Sequence, residues 1–218
     1  SPFRKIKVKF KETKVLPRIV PREEIEQLLN YMYSLGSRDN NKQEKYWLRD
    51  VAVIETLFAT GARVSEVSNI RVDSVNLNTG LIRIMGKGGK ERYIQIASAD
   101  ILDVLKRYYD QNASEIKKSG FFFVNSRGSR YTEQSIRLML KKYTKLAGID
   151  RNITPHMFRH SFATYLIEEG VDISCVQQIL GHSSIKTTQI YIHIAAKKQA
   201  EILRELHPRN RMNILIAA

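Results

Sequence analysis

The sequence predicts a mainly α fold with one small antiparallel three-stranded β-sheet (α+β), and three observations predict it. Apolar residues recur at helical spacing through most of the chain. Residues 74–96 break that pattern with short strand-like runs around a glycine-rich turn. No internal repeat or low-complexity segment interrupts it. Hydrophobic residues make up 43% of the 218, enough for a sizeable core, so wholesale disorder is excluded.

The chain starts with charge. Residues 1–22 carry eight basic residues and one acid, so half of the formal +14 lies on a tenth of the length. Lys5-Ile6-Lys7-Val8-Lys9-Phe10-Lys11 alternates with period two, but nothing follows to pair with it as a hairpin. Residues 1–20 are read as a basic linker or arm that tracks a phosphate backbone, through Lys7, Lys9, Lys11 and Lys14.

Residues 21–210 form one domain in this reading. Pro21-Arg22-Glu23-Glu24 opens a helix, with proline suited to its first position and glutamates to the positive end of the dipole. Ile25, Leu28, Leu29, Met32 and Leu35 keep helical spacing until Gly36. Residues 37–44 read as a polar loop. A more apolar helix over 46–60 stops at Gly61, and a short one follows at 64–70. Strands are expected at 74–77, 81–85 and 91–96. The Gly86-Lys87-Gly88-Gly89-Lys90 turn between the last two needs the positive φ that glycine supplies. Helices return at 98–111 with Ser98 as cap, at 133–147 with Thr132 as cap, and from Thr154-Pro155 to about Gly170. Shorter ones are expected at 172–180, 184–193 and 195–206. Residues 211–218 form a tail, with apolar Ile214-Leu215-Ile216.

The balance of charge narrows the function. A strongly basic chain points to a polyanion, with nucleic acid first and a membrane surface second. No apolar run approaches the ~18 residues of a membrane span, and the N-terminus has no apolar core of a secretory signal. A single cysteine, Cys175, excludes an intrachain disulfide framework and suits a reducing cytoplasm. The expected location is cytoplasmic, on the nucleoid.

Five short constellations carry chemistry. Arg63 lies in Thr60-Gly61-Ala62-Arg63-Val64-Ser65-Glu66, where one helix stops and the next begins. Lys87 sits on the glycine turn. That turn is no P-loop, because it joins two strands and lacks the Ser/Thr that follows the P-loop lysine. His156, Arg159 and His160 share one helical face, while Phe158, Phe162 and Tyr165 form the opposing apolar side. Zinc is an unfavoured reading of His156 and His160, since Met157 stands where a zinc protease needs glutamate and a third ligand is required. His160 is the histidine expected merely to bond a nearby backbone group. His182 follows a helix-stopping glycine in Leu180-Gly181-His182, and Tyr191 ends Thr187-Thr188-Gln189-Ile190-Tyr191.

Taken singly, most of these residues have ordinary explanations: a surface arginine, a buried tyrosine. Taken in this order and context, they resemble the tyrosine recombinase (phage-integrase-like) family, most closely its bacterial Xer-type members. The resemblance covers about residues 15–210. It implies that Tyr191 attacks a DNA phosphodiester, leaving a 3′-phosphotyrosyl link and a free 5′-hydroxyl. Arg63 and Arg159 then stabilise the pentacoordinate transition state. Tyrosine's ordinary pKa of about 10 calls for a base. His156 is the candidate, with His182 donating to a non-bridging oxygen, and those roles are exchangeable. Lys87 protonates the leaving 5′-oxygen. Glu66 either orients this set or is a plain helix-face acid. Lys90 and Arg92 are expected to contact DNA.

No cofactor is expected: no ATP, because the phosphotyrosyl bond conserves the energy needed for religation, and no metal, because no carboxylate cluster lies near the motifs and Arg63 and Arg159 take the transition-state charge. The expected partner is double-stranded DNA carrying an inverted-repeat site. The protein is expected to be a monomer when free and a tetramer in the synaptic complex, with the segment after Tyr191 docked on a neighbour. Family members normally carry an N-terminal core-binding domain, which is expected to be missing from these residues. The rival readings are a type IB topoisomerase and a non-catalytic DNA-binding relative.

Overall fold

Glutamates at 23 and 24 face the positive end of α1 (Arg22–Leu35), and Ile25, Leu28 and Met32 form its buried stripe. This computed structural model describes residues 18–36 and 41–181, with 41–45 and Lys87 described by backbone alone. Several expectations therefore lie outside the described residues. They are Lys7, Lys9, Lys11 and Lys14, the helices at 184–193 and 195–206, the tail, His182, Tyr191 and the side chain of Lys87.

The remaining elements are α2 (Asn41–Thr60), α3 (Val64–Ser68), β1 (Val75–Asn76), β2 (Leu81–Met85), β3 (Glu91–Gln95), α4 (Ala99–Ser119), α5 (Glu133–Leu146), α6 (Pro155–Glu168) and α7 (Ile173–Leu180). The mainly α fold and its three-stranded sheet, in the order β1-β2-β3, are as the sequence predicts. α2 is the central helix, with every residue from Val51 to Leu57 buried. It packs against α1, α4 and α6. A smaller cluster of Ala163, Ile167, Val176 and Leu180 joins α7 to α6.

Two helices differ from expectation. α2 begins at Asn41, so part of the predicted polar loop is helical. α4 runs to Ser119, well past residue 111. Asn112 does leave helical geometry there (φ −124°, ψ 15°), but its Nδ2 donates to the Tyr108 carbonyl at 2.9 Å. Burial of Ile116 carries the helix on to its left-handed Gly120 cap. The predicted caps hold: Ser98, Thr132 and Thr154 accept the backbone N–H groups of Ile101, Ser135 and Met157.

The hairpin matters most for the site. β2 and β3 pair antiparallel with Ile82 opposite Ile94 and Ile84 opposite Arg92. The turn between them has Gly88 at φ 76° and Gly89 at φ 74°, as its glycines predict. It is closed by the Gly86 N–H donating to the Lys90 carbonyl at 2.7 Å. Successive strand residues face opposite ways, so Arg92 shares the inward face of β3 with buried Ile94. Residues 18–22 lie along α6: the Val20 N–H donates to Ser161 Oγ at 2.8 Å, and Tyr165 Oη donates to the Val20 carbonyl at 2.5 Å.

Candidate functional site

α2 ends at Gly61, whose φ of +57° favours glycine and whose missing Cβ leaves room for the Phe162 ring, 2.5 Å from where it would stand. The Gly61 carbonyl faces α6. Arg159 meets it there, donating from Nη1 at 2.8 Å, while its Nη2 donates to the Leu180 carbonyl at 2.8 Å. The guanidinium thus satisfies carbonyls at the C-terminal ends of α2 and α7, where the helix dipoles favour a cation. Arg159 is only 3% exposed. It shares a cavity with His156 and Arg63, lined also by Lys141 and Asn152.

Arg63 is the N-cap of α3, at the helix boundary the sequence indicates. Its backbone N–H donates to Glu66 Oε2 at 2.8 Å and its Nη1 to Oε1 at 2.9 Å. A glutamate at the third helical position reaching back to the N-cap N–H is half of a capping box. Arg63 also lines a second cavity, with Glu66, Gly86, Lys90, Arg92 and Gly181. The two cavities adjoin at Arg63 and Ser65.

Glu66 is buried, and it is no plain helix-face acid. It takes two further hydrogen bonds, from Arg92 Nη2 to Oε2 at 2.7 Å and from Arg92 Nη1 to Oε1 at 3.2 Å. Burial alone would raise its pKa. The Arg92 and Arg63 hydrogen bonds outweigh burial and hold it below the usual carboxylate value. Arg92, expected to contact DNA, stands at the wall of the second cavity. Its side chain is 10% exposed and turned onto Glu66. Its Nε–H is buried and has no hydrogen-bond partner among the described residues. Period two on β3 is the signal that places it inward, since Arg92 has the parity of Ile94 and Ile96. Lys90 is exposed at the rim of the second cavity.

His156 is exposed and His160 partly buried, with their rings edge to face at 4.4 Å. The shared face read from the sequence is therefore real. Burial lowers the pKa of His156, and Arg159 and Arg63 lower it further. Burial pushes His160 down to about 4, with His156 and Arg159 adding to the shift. Both rings are neutral at pH 7. Among the described residues, no group of three or more His, Cys, Asp or Glu side chains could hold a metal ion. No described helix is long and apolar enough to cross a membrane.

The structure thus brings Arg63, His156 and Arg159 to one cavity, and Glu66, Lys90 and Arg92 to its neighbour. α7 ends at Gly181, beside Arg92, immediately before His182 in sequence. Chemically, the cleft offers fixed guanidinium groups for an anion and a neutral imidazole that can accept a proton.

Residues 18–198 match the model of the phage integrase family. A tyrosine recombinase from Agathobacter rectalis is 46% identical over 210 residues, 96% of this chain and 69% of the relative. A crystal structure of XerA recombinase superposes with a TM-score of 0.71 at 31% identity, covering 91% of this chain and 66% of that one. A XerH site-specific recombinase bound to difH substrate, in a pre-cleavage complex, gives a TM-score of 0.71 at 29% identity, covering 86% of this chain and 53% of that one. The chain spans about two thirds of the length of its curated relative.

Proposed function

The chain belongs to the phage integrase family, as a Xer-like tyrosine recombinase catalytic domain, and we propose that it cleaves and rejoins DNA at a specific site through Tyr191. The observation that carries the reading is the cavity lined jointly by Arg63, His156 and Arg159. A phosphodiester seated there has guanidinium groups on its non-bridging oxygens, where the pentacoordinate transition state gathers charge. Arginine suits this task because its charge is permanent and its donors form a planar fork. A hydrogen bond to a charged group contributes about 1.5–3 kcal/mol, so losing one arginine slows cleavage by about tenfold or more.

Attack by the Tyr191 oxygen on phosphorus forms a 3′-phosphotyrosyl bond and breaks the bond to the 5′-oxygen. The phenol proton goes to neutral His156, whose lowered pKa keeps it able to accept. Lys87 gives a proton to the departing 5′-oxygen, and His182 donates to a non-bridging oxygen. Return attack by a 5′-hydroxyl reverses the balance without ATP. A strand from a second site gives recombination; the original strand gives relaxation.

Double-stranded DNA as partner is supported by the basic composition and by the XerH relative solved on its difH substrate. The recombinase names of the relatives favour site-specific exchange over type IB topoisomerase chemistry. Exchange between two sites takes four protomers on an inverted-repeat pair, assembled from monomers on the nucleoid.

Covalent trapping tests this. The protein is incubated with a randomised pool of nicked duplexes that lose the 5′-hydroxyl after cleavage, and SDS-resistant adducts are sequenced. Adducts enriched in an inverted repeat, and lost in Tyr191→Phe, are the expected result. Adducts that persist in Tyr191→Phe remove it as the nucleophile. Adducts without sequence preference favour the topoisomerase reading.

A further inference from the structure

Arg92 touches three chain corners, each next to a residue placed in the chemistry. Both of its Nη atoms hold Glu66, which in turn holds the backbone and side chain of Arg63. A Cβ built on Gly86 would stand 3.9 Å from Arg92 Nη1 and 3.8 Å from Glu66 Oε1, and Gly86 immediately precedes Lys87. A Cβ on Gly181 would stand 3.2 Å from Arg92 Cδ and Nη1, and Gly181 immediately precedes His182. The Gly181 backbone thus closes on the guanidinium more tightly than most side chains would allow, while Gly86 stands within ordinary contact distance of it. That guanidinium is a tenth exposed, and its partner Glu66 a twentieth.

We propose that Arg92 is a positioning residue for strand cleavage, the shared pivot that sets Arg63, the Lys87 turn and the Gly181 cap of α7 relative to one another. The inference rests on the recombinase reading above. Two effects follow from the geometry. With Arg92 in place, Glu66 receives two donors on each oxygen, so its carboxylate is fixed and Arg63 keeps one orientation. Arg92 also balances the Glu66 charge, so that Arg63 retains its positive field toward a phosphate. Neutralising Arg92 leaves the whole carboxylate charge on Arg63 and frees the two glycine corners.

The test uses the full chain and the duplex that the wild type cleaves fastest, in single-turnover cleavage with DNA varied to saturation. Arg92→Gln is expected to cut the saturated cleavage rate about tenfold or more, the loss of one charge-assisted contact, with the Kd for DNA unchanged. Glu66→Gln is expected to behave alike. The double variant is expected to be no slower than the slower single one, since both act through one unit. Arg92→Lys keeps the charge but cannot form the fork, and it guards against a glutamine variant that fails to fold. It is expected to cleave more slowly than wild type at unchanged affinity.

Several results overturn the inference alone: wild-type saturated rates in Arg92→Lys or Arg92→Gln, a defect confined to DNA affinity and its salt dependence, or additive losses in the double variant. A wild-type chain that forms no adduct overturns the recombinase reading itself, and this inference with it.

Discussion

Glu66 and Asp50 are both buried carboxylates paired with arginine, yet their acidities move in opposite directions. Glu66 takes four hydrogen bonds, two on each oxygen, from Arg92 and from the side chain and backbone of Arg63. Its pKa falls despite burial. Asp50 receives Arg49 Nε at 2.9 Å and Nη2 at 2.7 Å on the single oxygen Oδ1, with Tyr131 Oη on the same atom at 3.4 Å. Burial raises its pKa, and the attraction of Arg49 does not offset that. Arg49 also lies over the Tyr131 ring at 4.1 Å, so its charge is shared with an aromatic face. Glu66 stands at the wall of an open cleft, while Asp50 is sealed beneath tyrosines. Glu66 meets two arginines and a backbone N–H that outweigh burial, whereas Asp50, more deeply buried, has one arginine and the hydroxyls of Tyr131 and Tyr143, and burial prevails. Of the two, Glu66 is the one that holds an arginine at the wall of the cleft.

Glu66→Ala should break this contrast hardest. It leaves the buried Arg92 guanidinium without its partner, and removing one half of a buried pair costs about 3–5 kcal/mol. Denaturant unfolding should show that loss. Adduct formation under conditions where the variant is folded should fall about tenfold or more, as for the loss of a charge-assisted contact. An intact cleavage rate would reduce Glu66 to a structural acid. Asp50→Asn is a smaller change, because asparagine keeps an oxygen that can accept from Arg49 and the pair touches none of the cleft residues. Stability should fall by about 1 kcal/mol, with saturated cleavage at the wild-type rate. A cleavage defect there would erase the distinction between the two pairs.

The smallest effects are in pH. Glu66 contributes stability above its ordinary 4.5, and that stability is lost as pH falls through its lower folded value. Asp50 runs the other way. Stability falls as pH rises from its ordinary 3.8 through its raised folded value. Unfolding curves across pH 3–7 should therefore differ from those of Glu66→Gln and Asp50→Asn with opposite slopes. His160 adds a third component, since its folded pKa near 4 lies below the ordinary 6.5. Its contribution is complete above 6.5 and fades as pH drops toward 4, so His160→Gln should flatten that interval. Cleavage should persist below pH 6.5 before His156 protonates, and an acid limb centred at or above 6.5 would remove His156 as the base.

Much of this was legible in the sequence. The hairpin followed from alternating residues around Gly88 and Gly89, and the helix starts from Ser98, Thr132 and Thr154, because such signals are local. The end of α4 was not, since the break at Asn112 is real but burial of Ile116 overrides it. The shared cavity of Arg63, His156 and Arg159 was foreseeable only through family resemblance, as the two arginines are 96 positions apart in sequence. The burial of Arg159 was not foreseen at all. Its partners are the carbonyls of Gly61 and Leu180, and a backbone carbonyl leaves no mark on residue type. Arg92 shows a different limit. Its positive charge suggested a surface role, although its parity with Ile94 pointed inward.

The strap at residues 18–22 has a mechanical consequence. It is joined to α6 by the Val20 N–H to Ser161, by Tyr165 to the Val20 carbonyl, and by the Arg22–Glu169 ion pair at 2.9 Å. Arg151 adds a bond to the Ile19 carbonyl at 3.1 Å. A pull on the strap is carried by these links. The force arrives at Ser161, the residue after His160 on the helix that also presents His156 and Arg159. Tension from the upstream chain therefore meets the cleft's own helix at Val20, two residues before α1 begins.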